Sequence, residues 1–465
     1  MTRNRFIRSF AFLASLPVLG MAQTTASDAA LRGEVMELRA LVKQLEARVE
    51  VLEGRGPASA AQAKPAAPAA PVSAAAAMGA GANAPPPAAS APGGLAGTTV
   101  NLGFDGYYGY NFNAPIGRAN LLRAYDVSSN SFSINQANLV FENAPDPANG
   151  KRFGARIDLQ WGQATQTLQG NAVNEPRPDI YRQLFQAYGT YVAPIGNGVT
   201  IDFGKWSSAI GIEGNYTKDQ INYSRSFWFD YLPFYHMGLR MNYKVNDLLA
   251  VNYWVTNGTQ QTEAFNGFKD QLAGFVLTPS KNVSWTVNYY LGQEHPDVVY
   301  FLNGNAPPGA PTQQGVPFEP IPNAPKGKLH IFDNYLAWQV TPKFDFALEG
   351  DWVIERYQTN SPPDETMGGA AYVRRRLTPK FSVAGRVEYF NDRNGLYTGV
   401  PQSLKEATLT ADYKMGEGFM LRWEYRRDQS NHPYFYTDTL GLLANHQTTA
   451  TVGLIWWFGP KQGAW

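Results

Sequence analysis

The sequence predicts an all-β fold: a transmembrane antiparallel β-barrel of about 16 strands, with an N-terminal periplasmic coiled-coil helix and a disordered linker before it. Three observations lead to this prediction. From residue 99 onward, apolar and polar residues alternate with a period of two in one segment after another. Along the chain, the connections between these segments alternate in most cases between short turns and long loops. Aromatic residues gather near the segment ends, as they do where a barrel meets the membrane surface.

The first 22 of the 465 residues have the order of a secretory signal peptide. Arg3, Arg5 and Arg8 precede a short apolar run, and Ala22 supplies a small residue before the expected cleavage site. A buried amphipathic helix is the alternative. The signal predicts that the protein is exported, so the mature chain begins after residue 22.

Residues 23–55 are predicted to form the coiled-coil helix, with a lone helix docked on a domain as the alternative. Leucines and valines alternate there at the 4-3 spacing of a heptad, with charged residues between them. Residues 56–97 are rich in Ala, Pro and Gly and bury too little apolar surface to fold, so they are predicted to form the linker. The predicted barrel occupies residues 98–465. The heptad leucines are Leu31, Leu38, Leu45 and Leu52.

The alternation within the barrel region separates an apolar face from a charged face. Residues 153–162 place Ile157, Leu159 and Trp161 on one face and Arg156 and Asp158 on the other. The predicted strands lie near 100–112, 131–142, 153–162, 180–192, 199–206, 238–246, 248–257, 269–278, 283–292, 329–340, 344–356, 369–378, 381–391, 404–414, 418–427 and 447–458.

Long connections follow the odd-numbered strands, and mostly short turns follow the even-numbered ones, which is typical of an outer-membrane barrel. A soluble sandwich or propeller is the alternative. A lumen enclosed by about sixteen strands is too wide for wall side chains alone to fill. We therefore expect the connection 207–237 to fold inward and narrow the pore, with an exterior lid or a surface loop as the alternative.

Composition excludes several classes of protein. With a formal net charge of +1 and 17% charged residues, the chain lacks the basic excess of a nucleic-acid binder. With no cysteine, it has neither disulfides nor a thiolate metal site. No internal stretch has the roughly 18 apolar residues of a membrane-spanning helix. We expect no cofactor and no metal ion.

The candidate pore-lining residues are charged or polar residues of the 207–237 connection and of the predicted strands. Acidic residues gather near 345–355 and basic ones near 374–386 and 422–426, which predicts a transverse field between opposing walls. Neutralising pairs between neighbouring strands are the alternative. The candidates are Glu213, Asn215, Arg225, Arg156, Asp158, Arg240, Glu349, Asp351, Arg374, Arg376, Arg386, Arg422 and Arg426.

Residues 204–243 contain a Gly-Lys-Trp strand end, Gly-Ile-Glu at 211–213, Asn-Tyr-Ser-Arg-Ser at 222–226 and Pro-Phe-Tyr-His-Met-Gly at 233–238. These motifs resemble the putative β-barrel porin-2, or OmpL-like, family, and the resemblance extends over about 98–465. The heptad and linker also resemble those of phosphate-selective porins of the O/P type. The resemblance implies an outer-membrane porin. Trp465 is the candidate assembly signal, although Gly459 and Pro460 separate it from the last predicted strand.

We therefore predict a porin of a Gram-negative outer membrane, with its N-terminal segment in the periplasm and a water-filled pore for passive diffusion of small hydrophilic solutes or ions. Expected partners are outer-membrane lipid, the barrel-assembly machinery and further copies of the chain in a trimer or dimer. One alternative is an envelope-tethering barrel whose coiled coil contacts peptidoglycan or a periplasmic partner. A hydrolase is less favoured, because His236 lacks a nucleophile elbow or a paired-histidine metal motif. We predict that the protein is not an enzyme.

Overall fold

The computed structural model describes residues 97–168, 175, 177–301, 306–313, 315–416, 418–461 and 463–465. They form a closed barrel of sixteen strands in which each strand pairs with its neighbours in the chain. The strands, numbered in chain order, are β1 (Thr99–Asn111), β2 (Ser131–Asn143), β3 (Phe153–Trp161), β4 (Leu184–Ala193), β5 (Val199–Ser207), β6 (Tyr235–Lys244), β7 (Leu249–Thr256), β8 (Asp270–Ser280), β9 (Val283–Gly292), β10 (Leu329–Thr341), β11 (Phe344–Glu355), β12 (Asp364–Arg376), β13 (Phe381–Asp392), β14 (Gln402–Gly416), β15 (Phe419–Ser430) and β16 (His446–Phe458).

The ring is closed by antiparallel pairing of β1 with β16, from Leu102 opposite Phe458 to Asn111 opposite Thr449. Closure leaves no strand edge with unpaired backbone groups, which is the condition for a sheet to cross lipid. The predicted barrel and its strand number are thus confirmed. Among the residues that the structure describes, no helix has the length and apolar character needed to cross a membrane.

Each strand has one polar, buried face and one apolar, exposed face. On β15, Arg422 and Arg426 are each 1% exposed, whereas Trp423 is 40% and Tyr425 51% exposed. The same alternation on β3 buries Asp158 and exposes the neighbouring apolar residues. Large apolar side chains therefore cover the outside of the closed ring, and the polar residues lie on its inner face.

The two rims differ, as the sequence predicts. Most connections after odd-numbered strands are long, including 208–234 and 293–328, whereas several after even-numbered strands have only two residues, as at 281–282 and 342–343. The long connections contain short helices and strands of their own. These are α1 (Gln163–Leu168), α2 (Pro178–Tyr181), α3 (Phe227–Tyr231), a sheet of Val298–Tyr300, Thr312–Gln313 and Val316–Pro320, and a pair of Phe435–Tyr436 with Leu443–Ala444.

Two strands begin more than three residues away from their predicted start. The strand predicted from residue 180 begins at Leu184, because α2 occupies the preceding residues and begins with a proline. The strand predicted from residue 369 begins at Asp364, because glycines and alanines hide the alternation there. The predicted signal peptide, coiled coil and linker lie outside the described residues.

Candidate functional site

The connection between β5 and β6, residues 208–234, is buried over most of its length. It contains a 3-10 turn at Thr217–Asp219 and the short helix α3. Phe227 and Trp228 of α3 have no exposed surface. A surface loop usually exposes its side chains. The burial of this one indicates close packing against the barrel, and we call it the 208–234 segment.

The first contact of the segment with the wall is formed by two backbone amides. Gly211 N–H donates to Asp333 Oδ1 on β10 at 2.9 Å, and Ile212 N–H donates to Glu349 Oε1 on β11 at 2.8 Å. Gly211 has a φ of +84°, and a Cβ there would lie 3.2 Å from Glu349 Oε1. Glycine is therefore favoured both by the backbone conformation and by the close approach to the carboxylate.

A second contact involves Glu424, a buried residue of β15. Its carboxylate accepts hydrogen bonds from Tyr223 N–H at 2.6 Å and Ser224 N–H at 2.8 Å. Thr410 of β14 donates its hydroxyl to the same carboxylate at 2.8 Å. Hydrogen bonds to an ionised acceptor are about twice as strong as neutral ones. The Asn-Tyr-Ser-Arg-Ser motif therefore fixes the segment through its backbone.

The third contact is at the start of α3. Glu388 on β13 accepts hydrogen bonds from Phe227 N–H at 2.8 Å and Trp228 N–H at 3.0 Å. The Ser226 hydroxyl accepts from Phe229 N–H and so caps the helix. Arg386, also on β13, donates to Glu213 Oε1 at 2.7 Å. One strand thus holds both the Gly-x-Glu motif and the helix.

Another set of contacts joins the segment to β2 and β3. Gln136 Nε2 donates to the Asn215 carbonyl at 2.9 Å, and Asn215 Nδ2 donates to Gln160 Oε1 at 2.7 Å. The Tyr216 hydroxyl donates to Asp158. β2 and β10 are eight strands apart in either direction around the ring. The segment therefore bonds to opposite sides of the barrel.

Arg225 lies at the centre of these contacts. Its guanidinium donates to the carbonyls of Gly214, Tyr223 and Asn215 at 3.0, 2.7 and 2.9 Å and lies 4.4 Å from the centre of the Tyr125 ring. Burial lowers the pKa of Arg225. Its side chain satisfies backbone carbonyls within the segment, so its chemical role here is to hold the segment in shape.

Most wall arginines among the candidates form ion pairs with acids on the same strand or an adjacent one, as the alternative for the lumen charges predicts. Arg374 and Arg376 on β12 share Asp345 of the adjacent β11, each at 2.7 Å. The acidic and basic groups of these strands are therefore neighbours, and the predicted field between opposing walls is wrong for them. The other pairs are Arg156 with Asp158, Arg240 with Asp202, Arg386 with Glu406, Arg422 with Asp412, and Arg426 with Asp428.

A cavity of about 740 Å³, including its opening to solvent, lies at the rim of the short turns. Basic residues dominate its lining, which includes two acids, Asp219 and Asp412. This excess favours anions at that mouth of the barrel. The basic residues are Lys218, Arg374, Arg376, Lys380, Lys414 and Arg422.

Trp465 lies outside the last strand, because β16 ends at Phe458. Its backbone N–H donates to Asp219 at 3.0 Å, and its ring lies 4.6 Å from Lys218 Nζ. Its ring also packs edge-on against Tyr216. The C-terminal aromatic residue therefore contacts the 208–234 segment.

His236, the histidine of the motif, is the second residue of β6 and is fully buried. Its Nε2 lies 3.1 Å from the Ser208 hydroxyl, and its ring packs against Trp254 and Tyr290. Ser224 and Ser226 bond elsewhere, to Glu424, Arg386 and Glu213. The contact with Ser208 is the hydrogen bond expected of a structural histidine.

The candidates chosen from the sequence do not include Asp333, Gln136, Gln160 or Asp345, although each contacts a candidate residue or the segment. All four lie on the buried face of a strand, so the period-two alternation is the signal that could have included them. Which of many such positions contacts the segment depends on the strand register.

Several solved structures resemble the barrel at low sequence identity. The structure of OprB from Pseudomonas putida at high pH has a TM-score of 0.49 at 14% identity and covers 78% of this chain and 94% of its own. An anion-selective porin from Comamonas acidovorans has a TM-score of 0.48 at 9% identity, and the match covers 78% of this chain and 99% of that porin. A loop-deletion mutant of OmpT, an outer-membrane protein of Vibrio cholerae, has a TM-score of 0.47 at 9% identity, and the match covers 78% of this chain and 99% of the mutant.

The comparison with curated proteins found no match. The sequence model of the family described as "Putative beta-barrel porin-2, OmpL-like" matches residues 97–458, which include all sixteen strands of the barrel. The transmembrane strands and the closed ring agree with that description. The chain therefore belongs to the putative β-barrel porin-2, OmpL-like family and is an outer-membrane porin.

Proposed function

We propose that the barrel forms a water-filled pore for passive diffusion of small hydrophilic solutes or ions, narrowed by the 208–234 segment folded into its lumen. The observation that supports this most strongly is the set of hydrogen bonds from the segment to β2 and β10, eight strands apart. A connection bonded to opposite sides of a ring crosses its interior. Solutes then pass through the space that the segment leaves.

The proposed constriction is formed by the segment and the charged wall residues facing it. Glu213, Asn215 and Arg225 fix the shape of the segment, while Arg386, Arg422 and Arg426 bond to it from β13 and β15. Arg374 and Arg376 line the basic cavity beyond it. Solutes would meet the basic cavity at one end of the pore, which favours small anions.

Conductance in planar bilayers tests the pore. The purified, heat-modifiable barrel is expected to give stable single-channel steps, because a lumen lined with charged side chains holds water. A folded barrel that gives no steps in any of several salts would contradict the proposal. A panel of salts and sugars of increasing size then measures the width of the constriction.

Neutralising the basic cavity tests its effect on ion preference. Arg374→Gln with Arg376→Gln leaves Asp345 without two ion-pair partners and is expected to shift the reversal potential toward cations. Arg375→Gln is the matched control, because Arg375 is exposed and alternates in facing with its two neighbours on the same strand. A shift of the same size in the control would contradict a position in the pore.

A tethering role is the second candidate, and the heptad and the Ala/Pro-rich linker favour it. A linker of this composition spans about 3 Å per residue when extended, which for residues 56–97 is on the order of 100 Å. Deleting residues 23–97 separates the two roles. Unchanged conductance with loss of envelope integrity would favour tethering as the main role.

A further inference from the structure

Three buried carboxylates lie together on β10 and β11. Asp333 and Asp351 are direct cross-strand partners, and Glu349 precedes Asp351 by two residues on the same face. Their exposed fractions are 2%, 4% and 7%, and one carboxylate oxygen of each lies within 4.8 Å of the other two. Like charges directly opposite each other on neighbouring strands repel.

The neighbouring strands supply no cation to offset this charge. Asp333 faces Asn288 on β9, and Asp351 faces Gly368 on β12. Among the described residues, no ion pair involves any of the three acids. An uncompensated buried charge is costly, so a structure with three of them requires a bound cation or protons.

Two of the carboxylates are already fixed in place by hydrogen bonds. Asp333 accepts from Gly211 N–H and from Asn288 Nδ2 at 2.7 Å, and Glu349 accepts from Ile212 N–H and from the Tyr372 hydroxyl at 2.9 Å. Each carboxylate has about four lone-pair positions, so both retain free ones. They are oriented before any ligand arrives.

Asp351 differs from the other two. Both of its carboxylate oxygens are buried, and among the described residues no N–H group or hydroxyl donates to either of them; the polar group beside them is the Asp333 carboxyl group. A buried carboxylate without any such donor is rare, and it points to a missing ligand. Since its cross-strand partner is Asp333, the unpartnered group lies within the cluster itself.

We infer that Asp333, Glu349 and Asp351 bind one divalent cation of the hard, oxygen-preferring class, and that calcium fits best. Calcium binds oxygens at about 2.3–2.6 Å, so oxygens up to about 5 Å apart can contact one ion. Magnesium demands near-ideal octahedral geometry at about 2.0–2.1 Å and is usually held by only one or two carboxylates, so a set of three carboxylates favours calcium. Water completes the coordination shell, as calcium takes 6–8 oxygens.

The cation would also join the 208–234 segment to the wall. Gly211 and Ile212 of the segment donate to two of the three ligands, so an ion that fixes these carboxylates in place also fixes the acceptors of the segment's amides. Calcium would thus stabilise the segment against the wall. This inference goes beyond diffusion through the pore and is tested without measuring conduction.

The test uses the full chain refolded without lipopolysaccharide, treated with EDTA, and titrated with calcium chloride by calorimetry. We expect about one calcium per barrel and a rise in the temperature at which the heat-modifiable band is lost. In Asp351→Asn, calcium should bind at least tenfold more weakly and the temperature rise should disappear. In the absence of calcium, this variant should be at least as stable as the wild type, because repulsion is removed.

Glu365→Gln is the matched control, because Glu365 is an acid of β12 that pairs with exposed Arg393 at 2.7 Å, away from the cluster. It should bind calcium as the wild type does. Glu349→Gln provides a second variant within the cluster, with the same expected loss. Absence of calcium binding by the wild type would overturn the inference in favour of shared protons, and unchanged binding by both cluster variants would overturn it as well.

Discussion

Replacing Glu424 by Gln removes one of the main contacts between the 208–234 segment and the wall. The carboxylate accepts Tyr223 N–H on Oε2 and Ser224 N–H on Oε1. A glutamine side chain has one oxygen, so one of the two amides would face an NH₂ group in either orientation. The other hydrogen bond persists but loses its ionised acceptor.

The magnitude follows from these two changes. A hydrogen bond to a charged group contributes roughly 1.5–3 kcal/mol, and a neutral one about half of that. Losing one of these bonds and halving the other therefore destabilises the local structure by about 2–4.5 kcal/mol. A change of about 2 kcal/mol accelerates hydrogen exchange through local opening by about thirtyfold.

Hydrogen exchange followed by mass spectrometry measures this directly on peptides that cover 222–229. Exchange should accelerate there in Glu424→Gln. Strands β7 and β8 should keep the wild-type rate, because, among the described residues, the hydrogen bonds from the wall to the segment come from other strands. Glu365→Gln serves as the control, since its only described ion pair is with Arg393. Unchanged exchange at 222–229 in a folded variant would refute the reasoning that Glu424 holds the segment.

Three further predictions concern the segment and its surroundings. Gly211→Ala should destabilise the fold more than Gly399→Ala: both glycines have positive φ, but only at Gly211 would a Cβ lie 3.1 Å from Leu232 and 3.2 Å from Glu349. Thermal unfolding compares the two variants. Equal losses of stability would indicate that only the left-handed conformation matters, at about 1–2 kcal/mol. Burial raises the pKa of Asp126 to about 6. Folding then favours its protonated form, so stability falls by on the order of 3 kcal/mol as pH rises from about 4 to about 6. In Asp126→Asn, the unfolding temperature should change less with pH over this range, and an unchanged slope would contradict the prediction. Phe458→Ala should reduce outer-membrane assembly more than Trp465→Ala, because Phe458 ends the last strand; fractionation and heat-modifiability measure both, and the reverse order would favour Trp465 as the signal.

Local patterns were sufficient for the barrel itself. On β15, each of Arg422, Trp423, Glu424 and Tyr425 lies on the face that its alternation predicts, since a strand fixes facing residue by residue. The start of β4 is harder to predict, because α2 occupies the residues where the strand was expected to begin and these residues alternate only weakly.

The candidate site was predictable in position but not in bonding. Length and motifs indicated the connection 207–237, and the signs of the wall charges are visible in the sequence. The pairing of these side chains cannot be read from the sequence, because Glu388 and Phe227 are 161 residues apart and meet only through the register of the closed ring. The same holds for Arg374 and Asp345: a sequence pattern gives the order of their two neighbouring strands but not the register between them.

The separation along the chain between the 208–234 segment and its partners restricts how the protein can fold. Gln136 lies before the segment in the chain, whereas Glu388 and Glu424 follow it by well over a hundred residues. Such distant contacts form slowly, because the intervening chain must be ordered first. The segment therefore reaches its final position late, when β13 to β15 have joined the sheet, and its interior polar groups remain hydrated until the ring closes around them.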